Sequence, residues 1–497
     1  MNSHRIITGD ALSVLRSLPA ASVHCVVTSP PYWAQRIYSG VNSLIWGGAS
    51  DCPHQWVTLP TVNQRRSLNE GMSEKQASVG GSLVEYAPGD DCALCGAWRG
   101  CLGLEPVPDC LAWARGQEPC NRCYICHLRT VAHELSRVLR KDGTLWINLG
   151  DKYSADGGPK DYQPSKQSYS ADAFPRQVAT RLSGRRDRET IPDEVRVAGI
   201  PQKNLFGLPW RLGLALQADG WYLRQANIWH KPNGVPHPVK DRPVTNHEYV
   251  LLFSKRSRYF YDQFAVREPS KCGDEARWDN GKHGLKAGVE QSGSTRKFGP
   301  DPGFRQRRSV WTINTAAAKA KRHFAAFPER LPEICIMAGT SAGGVCEKCG
   351  TPFRRVVEIG EPNLDQQRAC GGDLNGQYIG SSHAAHTREE AGAPNPSTIK
   401  ARILRGMRKR TTIGWQQVCR CKDAGVVPAT VLDPFAGTAT TNDVARRLGR
   451  SSLGIEASPV YAEAARDRLS RPLVIRKTKS PKKPRPAQRE LRLEFAA

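Results

Sequence analysis

Apolar positions recur with clear period near both ends of the chain, and between those stretches the periodicity lapses repeatedly. Residues 5–33 read as a short strand, a helix, a second strand and a loop. Ala11, Val14, Leu15 and Leu18 fall at helical spacing, and Val23-His24-Cys25-Val26-Val27-Thr28 is an apolar run of strand length. Regular spacing fails from residue 34 to 127. It returns with Leu128, Val131, Ala132, Leu135, Val138 and Leu139 on one helical face, followed by a break at Lys141-Asp142-Gly143 and a strand over 144–149. A helix over 207–219 and strands over 221–229 and 248–253 come next. Residues 154–200, 255–322 and 353–411 are polar, basic or Gly-rich and read as loops and insertions. The last unit is strand 430–435, helix 439–448, strand 452–456 and helix 459–469. Helices alternating with buried strands predict an open, mostly parallel α/β sheet.

Composition adds scale and a partner. With 497 residues, 39% hydrophobic, and 12 tryptophans, the chain suits a large globular core rather than a disordered protein. A formal net charge of +25 points to a polyanion. No apolar stretch approaches the roughly 20 residues that span a bilayer. The first ten residues lack the apolar centre of a signal peptide, so a cytoplasmic protein with no membrane partner is expected. Sixteen cysteines in that compartment favour metal sites or buried thiols over disulfides.

Two segments carry chemistry. The late strand ends in Asp433-Pro434-Phe435-Ala436-Gly437-Thr438, a glycine turn leading into a helix, the layout that lets backbone approach a nucleotide. Glu456 ends the following strand and suits a pair of ribose hydroxyls. The early strand ends in Ser29-Pro30-Pro31-Tyr32. An exocyclic base amine is a poor nucleophile because its lone pair is conjugated into the ring. Making it attack requires acceptors aimed at developing positive charge, and Ser29 Oγ and the Pro30 carbonyl supply them. The prolines hold that backbone extended, and Tyr32 suits stacking on a flipped base.

These segments resemble the β-class DNA amino-methyltransferases, which use S-adenosylmethionine to methylate cytosine N(4) or adenine N(6). Residues 28–33 resemble the catalytic motif, 430–441 the cofactor motif and Leu453-Gly454-Ile455-Glu456 the ribose-binding strand. Gly9-Asp10-Ala11 is similar to the segment whose Asp faces the cofactor adenine. Residues 142–151 (DGTLWINLGD), Asp241-Arg242-Pro243, His247-Glu248-Tyr249 and 323–328 (HFAAFP) resemble further family segments. The catalytic motif precedes the cofactor motif, so the resemblance implies a Rossmann-like methyltransferase sheet in permuted order with zinc-binding and DNA-recognition insertions. It implies Ser29, Pro30, Pro31 and Tyr32 as catalytic residues. Asp10, Thr28, Asp433, Pro434, Phe435, Gly437, Thr438 and Glu456 are implied at the cofactor. Ser at the first catalytic position favours cytosine; adenine is the alternative, and a noncatalytic zinc-containing DNA-binding protein on the same fold is a third reading. Ala439 stands where the family has a second glycine, and its methyl group is expected to crowd the cofactor.

Cys52-x-His54 with Cys92-x2-Cys95, and Cys346-x2-Cys349 with Cys419-x-Cys421, have the ligand types and spacing of structural zinc sites. Cys120-x2-Cys123-x2-Cys126-His127, with Cys101 and Cys110 upstream, is a third candidate cluster. Double-stranded DNA with a flipped base is the expected partner, alongside a cognate restriction endonuclease. The expected organisation is a catalytic start (1–33), a cysteine-rich insertion (34–127), the catalytic half (128–262) and a target-recognition region (263–308). A cofactor-proximal segment (309–345), a second cysteine-bracketed insertion (346–427), the cofactor half (428–470) and a basic tail (471–497) follow.

Overall fold

The computed structural model describes residues 3–34, 41, 43–59, 62–65, 83–86, 89–153, 203–234, 240–269, 304–315, 327–362 and 408–472. The Arg-rich loop at 154–200, most of the target-recognition region with Trp278 and Phe298, residues 323–326 of HFAAFP, Cys272, Cys370 and nearly all of the basic tail lie outside the described residues.

The framework runs β1 (His4–Thr8), α1 (Ala11–Ser17), β2 (Val23–Thr28), α2 (Tyr124–Val138), β3 (Leu139–Leu149), α3 (Leu208–Ala218), β4 (Tyr222–His230) and β5 (His247–Ser254). It continues with β6 (Val310–Thr312), α4 (Arg330–Gly339), β7 (Thr430–Asp433), α5 (Thr440–Arg447), β8 (Ser451–Glu456) and α6 (Pro459–Ser470). One eight-stranded sheet has the order β1-β8-β7-β2-β3-β5-β4-β6. Only β5 runs against the rest, paired antiparallel with both β3 and β4. The predicted sheet is therefore present.

Alternation along the central strands explains why they read as unbroken apolar runs. Val26, Leu145, Ile147 and Leu432 enter the core under α1, α2 and α3, whereas Cys25, Val27, Trp146 and Val431 enter the core under α4 and α5. Both faces are covered, so neither can be polar. The chain order is permuted: β7, from the end of the sequence, pairs directly with β2, placing Val431 beside Cys25 and Leu432 beside Val26. Crossovers leave this pair in opposite directions on opposite faces, which opens a crevice at the carboxyl ends of the strands.

Several expectations change. Lys141, Asp142 and Gly143 do not break the chain between helix and strand; β3 begins at Leu139 and carries them as an irregularity, its partner shifting from Val23↔Leu139 to Cys25↔Thr144. Gly143 serves close approach, since a Cβ there would lie 2.6 Å from Leu139 Cδ1 and 2.8 Å from His24 O. Helix α2 starts four residues earlier than its apolar stripe indicates, because Tyr124, Ile125, Cys126 and His127 are buried under the first insertion. That insertion is not featureless. It holds an antiparallel sheet of Leu44–Trp46, Trp98–Gly100, Asp90–Cys92 and Trp56–Thr58. The second insertion holds the antiparallel strand pair Arg354–Pro362 and Arg408–Gln416. No helix among the described residues is long and apolar enough to cross a membrane.

Candidate active site

The crevice between β7 and β2 brings the two chemical segments together. Thr28, the last residue of β2, donates its hydroxyl to Asp433 Oδ1 at 2.7 Å, and Thr441 donates to Asp433 Oδ2 at 2.6 Å. The Phe435 amide also reaches Asp433 Oδ1, at 3.1 Å. Asp433 is thus turned inward, 2% exposed. Its oxygens are engaged by protein groups, and it ties the two loops to each other. Burial pushes its carboxyl up to about 6 against the pull of these three donors.

Beyond Asp433 the turn exposes a different carboxylate. Glu456 Oε2 accepts the Gly437 amide at 2.8 Å and Oε1 accepts the Ser458 amide at 2.9 Å. Each oxygen keeps a lone pair for another donor. Burial raises this carboxyl above its ordinary range. Asp10 follows β1, whose Thr8 is paired with Glu456, so the two acids share one rim of the crevice. Asp10 Oδ1 also caps α1 by accepting the Ser13 amide at 2.8 Å. Phe435, Gly437 and Thr438 are half-buried in the turn, with Pro434 buried behind them. Ala439 adopts φ 61 and is fully buried. Its methyl group faces protein, so the expected crowding of the cofactor does not follow.

The Ser29-Pro30-Pro31-Tyr32 segment leads to a hydrogen-bond chain. Ser29 Oγ donates to Tyr32 Oη at 3.4 Å, and Tyr32 Oη donates to Glu248 Oε2 at 2.8 Å. Asn148 Nδ2 donates to the same carboxylate oxygen at 3.0 Å, and Lys231 Nζ pairs with Glu248 Oε1. Tyr32 is held neutral, its phenol pushed far up by burial and by the Glu248 charge. Its ring edge rests on Gly150, where a Cβ would come within 2.8 Å of Tyr32 Cε2. Glu248 belongs to a segment marked only by resemblance, and no role was assigned to it. Because β5 is antiparallel, its start lies at the carboxyl edge of the parallel strands, a placement visible only once strand direction is known. Pro30 is buried beside Thr28 and Phe435 in an apolar crevice floored by Leu128, Val131 and Leu212.

All eight expected metal ligands fall into two groups, Cys52, His54, Cys92 and Cys95, and Cys346, Cys349, Cys419 and Cys421. A third group contains Cys110, Cys120, Cys123 and Cys126. His127 and Cys101 are not part of it. In the first group Cys52 and Cys92 Sγ are 3.8 Å apart and Cys95 Sγ lies 3.4 Å from His54 Nδ1. Tetrahedral zinc with 2.3 Å bonds to sulfur separates its sulfur ligands by about 3.8 Å, so the donor set fits that ion.

An almost wholly parallel sheet, an acidic strand end beside a glycine turn, and a proline-fixed hydroxyl segment at the switch point define a nucleotide-cofactor group transferase. The chain belongs to the DNA methylase family, whose model matches residues 23–346 and 428–467. It is similar to the Type II methyltransferase M.Cfr9I of Citrobacter freundii, 31% identical over 76% of this chain and 86% of that protein. A Type II methyltransferase of Xanthomonas campestris pv. cyanopsidis, M.XycI, is also 31% identical, over 75% of this chain and 84% of its own. The solved PvuII DNA methyltransferase (cytosine-N4-specific) aligns with 95% of this chain and 88% of its own at 14% identity and a TM-score of 0.41, too distant to carry any inference. The chain is accordingly a DNA methyltransferase of the cytosine-N4 and adenine-N6 family.

Proposed function

We propose that the protein methylates the exocyclic N(4) amine of a cytosine flipped out of double-stranded DNA, with S-adenosylmethionine as donor. The observation that carries this is the Ser29–Tyr32–Glu248 chain, in which the first position is a neutral hydroxyl whose proton is already directed inward. Ser29 therefore keeps its lone pairs for an incoming amine, and the Pro30 carbonyl is a second acceptor. Bound in the crevice, S-adenosylmethionine supplies an electrophilic methyl group on a positively charged sulfur. An amine nitrogen that took this methyl carbon, with the sulfur–carbon bond breaking, would become acidic. Its proton passes to Ser29 Oγ while Ser29 gives its own to Tyr32 and Tyr32 gives its own to Glu248. Lys231 holds the Glu248 carboxylate in place before that transfer. Glu456 would receive the ribose hydroxyls on the lone pairs left by its two backbone donors, and Asp10 and Phe435 would hold the adenine.

Incubation with DNA and donor, digestion to nucleosides and mass spectrometry test the reading. N4-methylcytosine is expected; N6-methyladenine alone would overturn the base assignment, and no modified nucleoside would overturn catalysis. The groups at Cys52 and Cys346 are assigned structural zinc, each joining segments far apart in the sequence of its insertion; metal analysis of the purified protein without zinc would refute this. Residues 263–308 are assigned target recognition. The Type II names of the relatives support a restriction endonuclease of matching specificity as functional partner.

A further inference from the structure

We infer that Cys110, Cys120, Cys123 and Cys126 hold a further zinc ion, and that this ion fixes the catalytic loop through the first turn of α2. The inference rests on the assignment of Ser29, Pro30 and Tyr32 to catalysis. Cys110 Sγ lies 3.7 Å from both Cys126 Sγ and Cys123 Sγ. All four sulfurs are within 4.8 Å of one another. These separations are too long for disulfides, of about 2.05 Å, and match the edge of a zinc–thiolate tetrahedron, about 3.8 Å. Cys123 is also the N-cap of α2, its sulfur accepting the Cys126 amide at 3.3 Å. His127, adjacent in sequence, is not among the four. Its Nδ1 meets Glu105 Oε1 at 3.0 Å, and its ring stacks on Trp46 and Trp98.

What the cluster anchors is the catalytic loop. Tyr124, between two of the four cysteines, is fully buried and donates its hydroxyl to the Pro31 carbonyl at 2.8 Å. The segment before the cluster grips the same loop: Trp33 Nε1 donates to Glu105 O at 2.9 Å and the Ala34 amide to Gly103 O at 2.6 Å. The Tyr124 amide in turn donates to Val107 O at 3.0 Å. Removing the ion would leave four thiols facing one another at the start of α2 and free the turn that carries Tyr124. Tyr124 is a positioning residue in this arrangement, acting on the base through Pro31.

The test counts zinc and turnover separately in the full chain. By elemental mass spectrometry, Cys120→Ser should contain one zinc fewer than the wild type. Its kcat should fall at least 10-fold, with cofactor Kd by calorimetry unchanged within 2-fold. Tyr124→Phe should keep every zinc and the same cofactor Kd, yet lose about 10-fold in kcat. Equal zinc in Cys120→Ser and wild type would overturn the metal site. Wild-type kcat in Tyr124→Phe would overturn the link to the loop. Failure of the underlying catalytic assignment would show instead as wild-type turnover in Ser29→Ala, with the zinc counts unaffected.

Discussion

Glu248 completes a chain of hydroxyls that Ser29-Pro30-Pro31-Tyr32 only begins, and in the proposed mechanism its charge sets a direction for proton movement. Glu248→Gln keeps an acceptor for Tyr32 but removes the charge that Lys231 neutralises. It is expected to lower kcat about 10²-fold, the scale of general-base loss, while leaving cofactor Kd within 2-fold; unchanged kcat would remove Glu248 from the mechanism. Asp433 acts on stability instead. Its folded value, about 6, lies above the ordinary 3.8, so the folded state holds this proton more tightly than the unfolded. The group's contribution is therefore fully present below pH 4 and lost as pH rises through about 6, a change of ~3 kcal/mol. Asp433→Asn stays neutral throughout. Denaturant unfolding at pH 4 and pH 7.5 should show wild type losing about that much relative to the variant, and a pH-independent gap would contradict the burial argument. Ala439 balances two small effects. Left-handed backbone costs alanine about 1 kcal/mol and burying its methyl returns about 0.8 kcal/mol. Ala439→Gly should thus leave both stability and calorimetric cofactor affinity nearly unchanged; clearly tighter binding would mean that the methyl does reach the cofactor.

At the scale of elements, legibility tracked how many faces are covered and by what. Strands β2 and β7 were plain in the sequence because helices cover both their faces, leaving unbroken apolar runs. The first turn of α2 was not, since the insertion buries its polar side too and erases the stripe that marks a surface helix. The short strands of the insertions were missed for the opposite reason: Ile45, Val57 and Ile359 are exposed, and side chains from distant segments, rather than periodicity, bring these strands together. Ser29, Gly437 and Glu456 were legible as local patterns, whereas Glu248 needed the direction of β5. Helix α4 shows what such packing demands. Gly339, its last residue, lies where a Cβ would sit 2.4 Å from Thr144 Oγ1 and 2.8 Å from Cys25 Sγ, both buried in adjacent strands. Gly339→Ala must push the helix off the sheet and should cost about 1–3 kcal/mol in denaturant unfolding; an unchanged midpoint would mean that α4 slides without penalty.

Across the whole molecule, one crevice is assembled from segments more than 400 residues apart in sequence, and the insertions attach to opposite edges of the sheet that forms it. The cluster at Cys346 docks at the amino edge: the Gly350 carbonyl meets His24 Nε2 at 3.1 Å and the Cys349 carbonyl accepts Arg140 Nη1 at 2.7 Å. The cluster at Cys110 lies by the Ser29–Tyr32 loop at the other edge. The net charge of +25 implies a grip on DNA, and much of that charge is in segments outside the framework. Residues 473–497 alone carry eight Lys or Arg against two Glu. Each phosphate neutralised adds about 0.9 to the slope of log affinity against log salt, and such contacts carry no sequence information. Deleting residues 473–497 should therefore flatten that slope by several units and weaken binding at low salt, with the preference among DNA sequences intact. Titrations of both forms from low to physiological salt decide the matter. A slope that does not change places the phosphate contacts elsewhere on the chain, and a changed sequence preference would mean that the tail reads bases rather than backbone.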